Sequence, residues 1–215
     1  MILIRKQSEP HRWTLYRKTA GATYQSQSYL SASLLEEQGY ICAYCMRRIP
    51  CKDSLSNENH HIEHIKPRSK YPENQLDYNN MVIVCPGHMG DKDHCDRSKG
   101  DKEMNLSPLN SSVIQTISYE NNGIIKSSNP VWNRELNDIL NLNDKVLVMA
   151  RRTTLHKIIA LLNSEKKNNK NKWTKKMLQK YLYRYQEKHS DNGKKKYYPY
   201  CGIVIYYLKK KLNKM

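Results

Sequence analysis

Between Cys42 and Asp101 lie five of the chain's six cysteines and five of its eight histidines. Cys42 and Cys45 form a C-x-x-C pair, a gap that lets one tight turn offer both sulfurs to a single ion, and Cys85 and Cys95 form a second, wider pair. In a reducing compartment paired cysteines act as metal ligands more often than as disulfides, so the four together predict a structural Cys₄ zinc site. The interval from Cys85 to Cys95 is unusual, and His88 or His94 stands close enough in sequence to replace a cysteine as the fourth ligand. Cys51 and Cys201 are read as ordinary thiols, because a tetrahedral shell is full without them.

Between the pairs comes HHIEHIKPRS, then LDYNNMVIVC, and after Cys95 follows DRSKGD. This order of C-x-x-C, acid-His with a following Pro, Asn-Met-Val leading into Cys, and Cys-Asp-x-x-Lys-Gly resembles the HNH endonuclease family over residues 36–105. The resemblance implies a ββα-metal module, in which a hairpin carries the acid-His pair, a loop carries Asn, a helix carries the last ligand, and zinc is purely structural. It puts Glu63 and His64 at the acid-His pair, Asn80 at the central Asn, and Asp96 at the third motif position. Asp96 departs from the His or Asn common there, and Glu63 stands where many relatives have Asp, which keeps the carboxylate.

Phosphodiester hydrolysis needs a base with a pKa near neutrality and a positive charge beside the leaving oxygen. In the roles the resemblance implies, His64 is the base, and Glu63 and Asp96 hold one Mg²⁺ or Mn²⁺. Asn80 orients the loop and the His64 ring. Lys66, Arg68, Lys70, Arg97 and Lys99 are placed to grip phosphates, while His60 and His61 are hairpin residues or auxiliary phosphate contacts. None of these groups needs a sugar 2′ oxygen, so DNA and RNA, including tRNA, stay open as substrates. The rival is a zinc-stabilised nucleic-acid-binding module without catalysis.

A closer resemblance rests on LLEEQGYICAYC, HIEHIKPRS, LDYNNMVIVC and the downstream NDILNLN. These stretches resemble the PtuB family, the HNH subunits of Septu-type anti-phage systems, including retron-attached versions. That resemblance implies antiviral defence, with an ABC/SMC-like ATPase subunit (PtuA-like) and retron components as partners.

The rest of the chain must position this site. Its net charge of +17, from 37 Lys+Arg against 20 Asp+Glu, favours a polyanionic partner such as nucleic acid. The opening MILIRKQSEPHRW has no signal-peptide core and no run reaches membrane-helix length, so the expected location is cytoplasmic, with no membrane. Residues 1–27 look like an irregular basic arm, and SYLSASLLEEQ has helical spacing ending at Gly39. From Tyr40 to Gly100 only MVIVC is continuously apolar, so a metal is needed as a staple. Beyond it, Asn122-Gly123 suggests a type I′ hairpin turn. NRELNDILNLN and DKVLVMARRTTLHKIIALLN suggest helices, the second with Val146, Met149, Leu155, Ile158, Ile159 and Leu162 on one face.

WTKKMLQKYLYRYQEK is a further helix between basic connectors, and YCGIVIYYLKKKLNKM is an apolar strip with a basic tail. The lysines at 166–176 and 194–196 fit solvated loops, a nucleic-acid track helped by Trp173, Tyr181, Tyr183 and Tyr185, or an acidic-partner site. The expected class is α+β: an N-terminal arm and helix (1–35), a zinc-stapled ββα-metal (HNH) nuclease core (36–106), and a hairpin plus mainly α-helical C-terminal region (107–215). Residues from Val131 onward are the candidate partner-docking region, although their apolar strips fit helix core first.

Overall fold

Two short helices lead into the cysteine-rich segment of the computed structural model, which describes residues 1–50, 59–89, 92–166 and 172–215; Cys51, Lys167 and Lys170 lie outside the described residues. α1 (His11–Arg17) starts after Pro10, and α2 (Ser28–Glu37) buries Leu30 and Leu34, one turn apart. Gly39, at φ 61°, ends α2 as the sequence predicts. The irregular arm is a correction: it contains α1, and Met1, Ile4 and Trp13 are buried, the first two against the C-terminal region at Tyr119 and Pro108 and Trp13 against the nuclease core at Leu76.

β1 (His61–His64) pairs antiparallel with β2 (Met81–Val84), with Glu63 opposite Val82 and His64 opposite Met81. Every residue of β2 is buried, as a continuous apolar run in a covered strand should be. Its outer edge is closed by Gln38, whose amide accepts from Ile83 N (2.7 Å) and donates to Ile83 O (2.8 Å). β3 (His88–Met89) and β4 (Lys92–Asp93) pair next, and α3 (Cys95–Lys99) follows directly. The Cys95 N–H donates to the Leu140 carbonyl (2.8 Å), tying α3 to the C-terminal half.

That half contains α4 (Ser111–Thr116), the hairpin β5 (Ile117–Tyr119) and β6 (Ile125–Ser127), α5 (Pro130–Arg134) running into a π-helical turn (Glu135–Ile139), and the long α6 (Lys145–Lys166). α7 (Lys175–Gln186), the hairpin β7 (His189–Asp191) and β8 (Lys194–Lys196), and α8 (Cys201–Leu212) complete it. α8 buries Ile203, Val204, Tyr207 and Leu208, and Gly202 sits so close to Met46, Tyr119 and the N-terminus that an added Cβ would lie 2.8–3.0 Å from them. The chain is α+β, with small two-stranded sheets and a mainly helical C-terminal region. No helix among the described residues is long and apolar enough to cross a membrane.

Three local expectations need correction. The hairpin at Asn122-Gly123 exists, but pairing stops at Tyr119 opposite Ile125, leaving a longer loop in which, of these two residues, Gly123 alone has positive φ. The two-residue turn with both residues at positive φ is Asn192 (50°) and Gly193 (74°), joining strands in a segment expected to be a connector. The inward face of α6 is Leu147, Arg151, Leu155, Ile158 and Leu162, whereas Met149 is 69% exposed. Arg151 sets that rotation by donating to the carbonyls of Gly123 (2.6 Å) and Leu142 (2.7 Å) and to Asn143 Oδ1 (3.2 Å). Arg151→Leu would orphan these acceptors and is expected to cost about 3 kcal/mol, lowering the melting midpoint by roughly 6–12 °C in calorimetry.

Candidate active site and cysteine cluster

The four paired cysteines meet at one point. Cys42 and Cys45 flank a tight turn closed by Met46 N to Cys42 O (3.0 Å) and Cys42 N to Arg47 O (2.9 Å); Cys85 directly follows β2, and Cys95 opens α3. Their sulfurs all lie within 4.8 Å of one another, with Cys42 to Cys95 at 3.9 Å and Cys45 to Cys85 at 3.7 Å. A tetrahedron with zinc–sulfur bonds of about 2.3 Å has edges of about 3.8 Å, so the donor set fits zinc in both chemistry and size. None of the four is in a disulfide.

Their protonation follows from crowding. Burial pushes the Cys42 thiol up, but hydrogen bonds from Cys45, Cys85 and Cys95 outweigh this and hold it well below the ordinary range. Cys85, donating chiefly towards Cys42 and Cys45, and Cys95, by burial, are driven well above it. A divalent cation is what would allow all four to ionise. Of the two histidines considered as substitute ligands, His88 is turned to Asp93 (2.8 Å). His94 is fully buried against the cluster, its Nδ1 3.2 Å from Cys95 Sγ and 3.9 Å from Cys85 Sγ.

β1 carries the remaining predicted groups. Strand alternation separates neighbours, so His61 and Glu63 share one side while Ile62 and His64 share the other. On the first side His61 Nδ1 lies 3.1 Å from Asp96 Oδ2, at the start of α3. Glu63 Oε1 meets Lys99 Nζ at 2.6 Å and accepts from Tyr44 Oη at 3.3 Å. Burial and then the Asp96 charge push the Glu63 carboxyl up to about 8, with Lys99 opposing. Burial raises Asp96 most, but hydrogen bonds from His61 and Glu63 and the charges of His61 and Lys99 together outweigh it and leave that carboxyl below its ordinary value. Two neighbouring carboxyls that cannot both ionise are a donor pair suited to a hard divalent cation. Among the described residues the only group of three or more potential metal ligands gathered this tightly is the four cysteines; Glu63 and Asp96 are a pair.

His64 corrects the expectation of a near-neutral base: it is 5% exposed, and burial lowers its pKa to about 4, keeping the ring neutral. Its Nε2 lies 3.0 Å from the Gln75 carbonyl. A carbonyl only accepts, so Nε2 carries the hydrogen and Nδ1 has the lone pair. Tyr24 packs edge-on at 4.5 Å, its N–H donating to Gln75 Oε1 (3.0 Å) and its ring carrying the Arg68 guanidinium at 4.6 Å. Trp13 Nε1 donates to the Leu76 carbonyl (3.1 Å). The N-terminal segment is thus the wall behind the imidazole.

Asn80 clamps the intervening loop: Oδ1 accepts from Lys66 N (2.8 Å), and Nδ2 donates to the carbonyls of Lys66 (3.1 Å) and Asn74 (3.3 Å). The structure therefore brings Glu63 and Asp96 together, places His64 across the strand from them, and leaves Asn80 in the supporting loop. Lys66, Arg68, Lys70 and Arg97 are exposed, as phosphate contacts require. Lys99 corrects the sequence reading, because it is 1% exposed and bound to Glu63 and the His64 carbonyl (3.3 Å). Sequence reasoning missed Tyr44 and Tyr24, and it named His61 and Lys99 without foreseeing their contacts to Asp96 and Glu63. The alternation of β1 signals His61, and Lys99 is one helical turn past Asp96, but nothing local signals Tyr24.

Residues 42–102 match the family model described as HNH endonuclease, a span running from the first cysteine of the cluster to just past Lys99. No curated protein matches the chain. The chain thus carries an HNH domain, which implies a metal-dependent nuclease acting on nucleic acid.

Because the cluster is buried and all-sulfur, the purified protein is expected to hold about one zinc per chain by elemental analysis. Cys85→Ala should reduce this to near zero and broaden or abolish the thermal transition. Full zinc retention in that variant would contradict the four-sulfur site.

Proposed function

We propose that this chain is a metal-dependent HNH endonuclease that hydrolyses phosphodiester bonds of DNA or RNA, with His64 as general base and residues 36–106 as the nuclease unit. The observation that carries the reading is the state of His64: Nε2–H is committed to the Gln75 carbonyl, so the basic lone pair sits on Nδ1 of a ring kept neutral by burial. A phosphate entering beside it brings negative charge, which raises the proton affinity of the ring towards working pH.

In this reading His64 Nδ1 takes a proton from water as the water oxygen bonds to phosphorus and the bond to the leaving oxygen breaks, its electron pair staying on that oxygen. Mg²⁺ or Mn²⁺ held by Glu63 and Asp96 would supply positive charge to the developing anion. Lys99 and Tyr44 fix the Glu63 carboxylate, and His61 fixes Asp96. Asn80 holds the loop from Lys66 to Asn74, and so the Gln75 carbonyl that sets the tautomer. Lys66 and Arg68, exposed on that loop, would grip the flanking phosphates. Zinc at Cys42, Cys45, Cys85 and Cys95 serves structure alone.

The finer reading is that the protein is the cytoplasmic effector of a Septu-type anti-phage system, with a PtuA-like ATPase and retron components as partners and residues 107–215 as the docking region. Its support is the sequence resemblance around LLEEQGYICAYC and NDILNLN. Co-expression with such an ATPase is expected to give a complex stable through size-exclusion chromatography; separate elution would contradict this assignment.

The nuclease reading is tested by incubating supercoiled plasmid and total RNA with protein and Mg²⁺ or Mn²⁺. Wild type should cut at least one of them, and His64→Ala should lower the rate by about 10²–10⁴-fold with zinc content unchanged. Equal measurable rates for the two proteins would refute His64 as the base, and intact substrates with both would refute catalysis and leave the non-catalytic binding module.

A further inference from the structure

Outside the HNH domain, residues 172–215 carry thirteen Lys and Arg against two acidic residues, Glu187 and Asp191. The nuclease reading uses none of them. On α7 the buried face is Met177, Leu178 and Tyr181, and the exposed face carries Lys176, Lys180 and Arg184 at successive four-residue steps. These stand one above another, about 6 Å apart along the axis. Like charges at this spacing repel and disfavour the helix that bears them, so the row has a cost that an external anion would offset.

The protein holds these cations in place more than it neutralises them. Arg184 lies over the Tyr198 ring at 5.2 Å, Lys180 over Tyr181 at 5.4 Å, and Lys194 of the adjoining hairpin over Tyr40 at 5.2 Å. Aromatic faces restrict a cation without cancelling its charge. Lys180 also meets Glu165 at 3.3 Å, whereas the Arg184 Nε donates to a neutral group, Tyr198 Oη, at 3.0 Å. Tyr183 stands on the same exposed side of α7 with 69% of its surface open, a ring available for stacking.

We propose that the exposed face of α7, with the β7–β8 hairpin beside it, is a second nucleic-acid contact that grips the phosphate backbone without reading sequence and stacks an unpaired base on Tyr183. A regularly spaced row of cations, two of the three held over rings, with an exposed aromatic among them is what an extended polyanion with flat bases engages. A folded acidic protein or an anionic membrane would match the charges but offers no unpaired base to stack on Tyr183.

The test measures binding apart from cleavage, using full-length His64→Ala protein so that failure of the nuclease reading leaves it intact. Fluorescence anisotropy with a labelled single strand and a labelled duplex is followed from low to moderate salt, with and without Lys176→Gln, Lys180→Gln and Arg184→Gln together. The triple change is expected to weaken binding of both about tenfold or more and to make the salt slope shallower by about 2. Tyr183→Ala should weaken the single strand more than the duplex. A triple variant with unchanged zinc content and melting but unchanged affinity and slope would overturn the proposal. So would an equal loss of binding to polyglutamate or phosphatidylserine vesicles, which would make the face a general anion binder.

Discussion

Four thiols packed into one buried site cannot all carry charge unless a cation sits among them, and the placement of the active groups hangs on that constraint. Each sulfur lies at a junction: Cys42 and Cys45 on the turn after α2, Cys85 where β2 ends, and Cys95 where α3 begins. A cation that gathers them fixes β2 against α3. Glu63 is registered opposite Val82 on β2, and Asp96 is the residue after Cys95. The distance between the two carboxyls is therefore decided by sulfur chemistry, in a segment with too little apolar periodicity to fix it by burial.

The second organising feature is the pleat of β1. Because consecutive side chains leave a strand on opposite sides, Glu63 joins Asp96, His61 and Lys99, while His64, the last residue of β1, is walled by Tyr24, Gln75 and the Asn80-clamped loop yet stays close enough to Asp96 and Lys99 to feel their charges. The acidic pair thereby collects positive charge, and the imidazole stays neutral. One dipeptide can supply two chemically distinct environments in this way.

Much of this was legible in sequence wherever local chemistry dictates structure. The cysteine spacing announced the cluster, MVIVC stood out as the one continuously apolar run of its segment, and the family resemblance announced a hairpin followed by a short helix. Several features were hidden because they depend on contacts distant in sequence. Tyr24 reaches His64 across forty residues, and nothing about either position foretells the meeting. Lys99 reads as a surface lysine until its pairing with buried Glu63 is seen. The inward face of α6 was misread because hydropathy ranks Met149 above Arg151, yet three acceptors draw the arginine inside. The roles of His64, Glu63, Asn80 and Asp96 came from motif order, and geometry adds the tautomer and the division between the two sides of the strand.

The most direct test of the account is a crystal structure of His64→Ala with Mn²⁺ and an oligonucleotide, using anomalous scattering to locate the ion. The account predicts a manganese peak touching a carboxylate oxygen of both Glu63 and Asp96, with a phosphate oxygen on the same ion and the scissile phosphorus facing the space vacated at residue 64. Manganese bound away from Glu63 and Asp96, with the nucleic acid away from β1, would contradict it.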